Sequence, residues 1–273
     1  MTDSPLAPAL EPRSTRRAST RAFWALCQRD GWVMVSHDLG GFLAQSLLQP
    51  VFFLLVFGRI LPEIGAAQGS YGAQLLPGVV ALTLVLTSLQ NVALPLVIEF
   101  AFTKEIEDRL LAPLPAWLVG VQKVAFGSFR GVIAAGLVLP LAAVILPGGI
   151  DLGQTSWPAL LLVFAAGSVA GAAVGLVMGT AVPVQKINVV FAVVLTPLIF
   201  TGATFYPWRG LDGLRWFQLL TLANPLTYVS EGMRGALSGL PHMGTGYLVL
   251  GLGVALTVGI AQGVRGFVGR AVD

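Results

Sequence analysis

Residues 158–181 read PALLLVFAAGSVAGAAVGLVMGTA, and no position in that run carries a charge. A helix needs about 20 apolar residues to cross the hydrocarbon core of a bilayer. This run is long enough and bare enough to call for lipid around it rather than water. Gly167, Gly171, Gly175 and Gly179 recur in it every four residues. That spacing lines them up on one helical face, where missing side chains let a neighbouring backbone come close. Such a face suits either a sliding interface or tight static packing. Gly127, Gly131 and Ala135 form a shorter version upstream.

Working outward, five more apolar runs are expected to span, at about 40–60, 74–98, 117–146, 189–206 and 244–264. The whole chain agrees with them. Of its 273 residues 55% are hydrophobic and 11% charged, against about 25% charged in a soluble domain. The expectation is an all-α membrane protein with six transmembrane helices, an N-terminal interfacial helix and an outer re-entrant helical hairpin between spans five and six. Residues 1–17, rich in Pro, Ser and Arg, read as a disordered cytoplasmic tail. Residues 18–38 read as the interfacial helix, with Trp24 and Trp32 at headgroup depth and Gly31 as its weak point. The six-span domain then covers 39–265, and 266–273 is a cytoplasmic C-terminal tail. A cleavable signal peptide is not expected, because the first apolar run starts near Gly40.

The net charge of +3 is too small and too dispersed for nucleic-acid binding. Arginines 13, 16, 17, 21 and 29 gather near the N-terminus, as cytoplasmic flanks do. With the N-terminus inside, twelve Lys/Arg fall on inner segments and four on outer ones: Arg59, Arg209, Arg215 and Arg234. Both termini are therefore placed in the cytoplasm, and the chain in the cell membrane as a multi-pass protein. Lys123 and Arg130, in the first half of the third span, are expected to snorkel to the nearer interface.

Recognisable catalytic chemistry is missing. A phosphate-binding loop needs a lysine after a Gly-rich turn. The three lysines, 104, 123 and 186, follow Thr, Gln and Gln. There is no metal-spaced Cys/His set and no G-x-S-x-G elbow. Lone Cys27 forms no intrachain disulfide and reads as a small buried or interfacial thiol. No catalytic residue, metal site or bound cofactor is expected.

Three polar features remain. Thr83, Thr87 and Asn91 share one face of the second span, Gln45 and Gln49 lie four apart in the first, and Thr196 and Thr201 sit in the fifth. They could line a translocation path, or equally be interhelical hydrogen bonds. The stretch from Glu99 to Pro115 holds Lys104, Glu105, Ile106, Glu107, Asp108, Arg109 and Leu110. It can start helical, with Glu105 and Arg109 paired, until its prolines stop it. Its exposed apolar residues suit docking to another protein. Lastly, 207–238 is too polar to span and too apolar to float free. It reads as two short helices broken at Asn224-Pro225, with Glu231 and Arg234 paired on the second.

Four stretches carry a resemblance: LQPVFFLLVFG at 48–58, Tyr71 with LPG at 76–78, Glu105 to Pro115, and NPLTY at 224–228 followed by Glu231 and Arg234. In that order and spacing the chain resembles the permease subunits of type-2 ABC exporters, most of all the daunorubicin-resistance-like drug-efflux permeases, over about residues 20–265. The resemblance implies a half-transporter that forms a homodimer or heterodimer and binds two separate ABC ATPase subunits. ATP and Mg would be held on those subunits. It implies that Glu99 to Pro115 is the coupling helix and that 18–38 is the connecting helix. It further implies that the hairpin with Asn224, Pro225, Tyr228, Glu231 and Arg234 caps the path of an amphiphilic substrate, a drug or lipid leaving the cytoplasm or inner leaflet. The acidic content of 99–115 exceeds what the resemblance leads one to expect. A polysaccharide- or glycolipid-exporting permease and a non-transporting membrane scaffold remain the rival readings.

Overall fold

The computed structural model describes residues 16–67, 71–103 and 115–272, and its regular elements there are helices. Six are long and apolar enough to cross a membrane. Helix α1 is Arg16–His37, and α2 runs over Leu39–Glu63 with a wider π-helical stretch at Leu54–Ile60. Helix α3 is Tyr71–Ile98 and continues as a π turn through Glu99–Thr103. Next come α4 (Ala116–Ile145), α5 (Trp157–Ala181) and α6 (Ile187–Thr201). Two short helices, α7 (Arg215–Thr221) and α8 (Pro225–Ser238), precede α9 (Thr245–Val272).

Helix α3 is the axis of the bundle. Val79, Val80, Leu84, Leu89 and Leu96 on it are all fully buried. Two small-residue faces let it sit there. A methyl group added to Gly171 of α5 would lie 2.5 Å from the Val85 carbonyl oxygen, and one on Gly175 would lie 2.4 Å from that of Leu89. From the other side, a methyl on Gly131 of α4 would fall 1.9 Å from Ser88 Oγ. The four-residue glycine stripe thus serves close packing against the α3 backbone, where dispersion and backbone proximity replace a hydrophobic drive that lipid cannot supply. By contrast α2, α6 and α9 bury little of themselves and present leucine, valine and phenylalanine outward.

The elements fall into two ends. Helix α1, the π turn at 99–103, the α5–α6 turn and the last turns of α9 share one end, as contacts of Phe100, Arg270 and Gln122 record. The α4–α5 loop and the α7–α8 hairpin share the other: Thr155 Oγ1 donates to the Leu237 carbonyl at 2.8 Å, and Ser156 N donates to that of Ala236 at 2.8 Å. The α4–α5 loop can turn at Gly148 and Gly149 because both take positive φ, 89° and 73°.

Several boundaries differ from the sequence reading. Gly31 does not break α1. The fifth span is Val184–Thr201, earlier than 189–206. Pro183 starts a short 3-10 turn that leads straight into α6, and the chain reverses after Thr201 with Ala203 at φ 51°. The last helix continues through Val272 rather than yielding to a tail at 266, and Phe267 is fully buried.

Candidate functional site

At the α1 end the second span leaves the bundle beside a cluster of charges, of which Glu99 and Lys123 are buried. Glu99 accepts a hydrogen bond from Lys123 Nζ on α4, with the two side chains 10% and 8% exposed. One turn or two further along α4, Arg130 pairs with Asp38 at 2.8 Å and lies over the Phe42 ring, 4.7 Å from its centroid. Gln122 donates to Asp30 at 2.9 Å. Lys123 thus turns to a buried carboxylate, whereas Arg130 reaches the exposed Asp38 at the α1–α2 junction. Glu99, Lys123, Arg130, Asp30 and Asp38, with Asn91, line a cavity of about 240 Å³ between α1, α3 and α4. Burial pushes the nearby Cys27 thiol above its ordinary pKa; a hydrogen bond with Gln122 opposes the shift and the Asp30 charge adds to it. Of the residues expected to couple to an ATPase, Lys104, Glu105, Ile106, Glu107, Asp108, Arg109 and Leu110 lie outside the described residues. Glu99 stands at the root of that segment.

The expected polar faces meet in part. Gln45 and Gln49 of α2 face Thr83, Thr87 and Gln90 of α3 across a cavity of about 20 Å³, room for roughly one water. Thr83 Oγ1 donates to the Val79 carbonyl at 2.8 Å and Asn91 Nδ2 to that of Thr87 at 2.8 Å. Asn91 lies on the same face but opens into the charged cavity instead. The fifth span does not join them: Thr196 is exposed on α6, and Thr201 is tied to the hairpin.

That hairpin is held by side chains that close backbone groups left open by its turns. Asn224 caps α8 by accepting from Leu226 N at 2.9 Å, while its Nδ2 donates to the Leu198 carbonyl at 2.8 Å and to Thr201 Oγ1 at 2.9 Å. Thr227 and Tyr228 hydroxyls donate to the Thr221 and Leu222 carbonyls, at 2.7 and 2.6 Å. Pro225 starts α8 at a position where no N–H is needed. Glu231 is fully buried. Its carboxylate accepts from Arg234, from Trp208 N at 3.0 Å and from Met243 N at 2.7 Å. One side chain thereby ties α8 to the chain before α7 and to the approach to α9.

Among the described residues no group of three His, Cys, Asp or Glu is placed to hold a metal ion. The arrangement is a helical bundle with one charged end, one knotted end and a polar seam between them. Compared with known proteins, residues 21–238 match the sequence model of a family described as ABC-2 type transporter. The chain belongs to the ABC-2 type transporter family. It is also similar to the protein called inner membrane transport permease YadH of Escherichia coli (strain K12), 27% identical over 223 residues, covering 77% of this chain and 82% of that protein. The protein of that name in Shigella flexneri gives the same figures.

As an ABC-2 transporter protein the chain is a multi-pass membrane permease of an ABC transporter, and the family implies an ATPase partner. The family match takes this ABC-2 permease from α1 through α8 and stops before α9. Two of its contacts escaped the sequence reading. The Glu99–Lys123 pair joins residues 24 apart, and nothing in either local pattern names the other; opposite charges next to the ends of successive spans were the available signal. The other is Arg270, which the sequence reading put in the tail after the last span and the structure puts in the last turn of α9.

Proposed function

We propose that this chain is the membrane half of an ATP-driven exporter for hydrophobic or amphiphilic compounds, powered by a separate ATPase subunit. The observation that carries the reading is the family match over 21–238, in a sequence whose three lysines follow no glycine. Energy must then enter from outside the chain. The α1 end is the natural place, because its residues include the arginine-rich flank that the positive-inside rule puts in the cytoplasm.

In this reading 104–114 contacts the ATPase and α1 lies along the inner membrane surface. ATP-driven closure of the ATPase pair pushes on 104–114. The push reaches α3 through Glu99, and α4 feels it through Lys123. A second permease chain supplies the missing wall, since the seam of Gln45, Gln49, Thr83 and Thr87 is closed within one chain and the outward faces of α2 and α6 are free to meet a copy. The hairpin with Asn224, Tyr228, Glu231 and Arg234 caps the outer end as a re-entrant element. A change in shape requires that ATP binding favour one state over the other, and only the contact at 104–114 can deliver that difference here.

The test is to purify the chain with the ATPase that accompanies it and to follow ATP-dependent movement of a fluorescent amphiphile in proteoliposomes. Replacing Glu105 and Arg109 together by Gln is expected to leave the permease folded and to lower transport at least tenfold. Transport at the wild-type rate in that variant, or a purified chain that never holds an ATPase, overturns the reading.

A further inference from the structure

We propose that Arg270, in the last turn of α9, is a positioning residue that ties the exit of α3 to the α5–α6 turn. Its Nη1 donates to the carbonyls of Gly179, Thr180 and Val182, at 3.3, 2.9 and 3.3 Å. These are terminal carbonyls of α5, which lack helical partners and carry the negative end of the helix dipole. The same guanidinium stands 4.7 Å from the centroid of the Phe100 ring, in range for attraction between a cation and an aromatic face. Phe100 belongs to the π turn that leads out of α3, and it packs on Phe267 at 5.8 Å.

The approach of α9 is built for this contact. Methyl groups added to Gly259, Gly263 and Gly266 would lie 3.1 Å from Ala173 Cβ, 3.0 Å from Leu176 Cδ2 and 2.8 Å from Thr180 Oγ1. That ridge carries α9 along α5 down to its end. There a single planar cation, five donors in a fixed fork, meets both the π turn at 99–103 and the end of α5 where the turn to α6 begins. A lysine in its place would carry the charge without the fork or the flat stacking face. By fixing the π turn at 99–103, the tie makes α9, which lies beyond the family match, part of the device through which a push on 104–114 would reach the bundle. This last step rests on the proposed contact of 104–114 with an ATPase.

Hydrogen exchange on the full chain in lipid nanodiscs tests the tie without any ATPase. In Arg270→Gln, amide exchange at 99–103 and 182–186 is expected to rise about tenfold while α8 is unchanged. In Phe100→Leu, which removes the ring contacts with Arg270 and Phe267 and leaves the bonds to the α5 carbonyls, the rise is confined to 99–103 and is about threefold. No rise in Arg270→Gln, or an equal rise that includes α8, overturns the proposal. In the complex with its ATPase, Arg270→Gln is expected to keep the ATPase bound and to move several-fold less amphiphile per ATP, with Arg270→Lys intermediate; an unchanged ratio overturns the role in transport. If exchange responds as expected but the wild-type chain binds no ATPase, the tie stands and the reading of 104–114 falls.

Discussion

Lys123 and Glu99 show what one residue decides in this permease. Each is a charge almost wholly removed from solvent, and each is tolerable because the other is there. Removing one partner of such a pair costs about 3–5 kcal/mol, since it strands a buried charge. Lys123→Met is therefore expected to lower thermal stability in detergent well below wild type, and adding Glu99→Gln to recover much of the loss. Cys27 gives a second test at this scale. With its thiol raised by burial, less of it is thiolate at pH 8 than in a free cysteine, so maleimide labelling is expected to be slower and to keep climbing as pH rises further. Asp30→Asn removes a charge that holds the proton on, and should speed the labelling at pH 8.

At the scale of elements, the decisive feature is the clasp of α3 between glycine faces. Gly175→Leu must push a branched side chain into the space of the Leu89 carbonyl, only 2.4 Å from where its Cβ would stand. Overpacking commonly costs about 1–3 kcal/mol, and here the obstacle is backbone, which yields less than a side chain. The expected outcome is a chain that inserts but loses protease resistance across α3 and α5. The sequence made this element legible, because a four-residue glycine period has few uses other than a close helix contact. It made the break between α7 and α8 legible too, at Asn224-Pro225, though not that Asn224 caps the second helix. The partners of these elements were not legible. Gly171 declares that something comes near, and not that it is Val85; Asn224 declares a break, and not that its amide reaches Leu198. Thr196, exposed on α6, is a related case. A threonine in an apolar helix satisfies itself on its own backbone, so its presence in a span says nothing about which way it faces.

Over the whole molecule, buried area is distributed unevenly. Helices α3, α4, α5 and α8 make the core, whereas the window of α9 that could cross a membrane is the least buried of the six. The polar groups follow the same division, with the charged cluster on α1, α3 and α4 and the Glu231 knot on α8. The expectation for orientation belongs to this scale, since it rests on sixteen basic residues read together and one loop alone does not decide which face it occupies.

The last helix packs on α5 from outside the α3 core, and that has a consequence for synthesis. By the time the ribosome has passed Ser238, every element that surrounds α3 has already been made, and the helix still to come adds its face from outside. Biogenesis can then proceed in two stages, a five-span intermediate that packs first and a late arrival that docks along its glycines. A nascent chain arrested after Gly244 is expected to shield α3 from protease as well as the finished protein does; digestion of α3 in that intermediate would show that the final helix is needed to close the core.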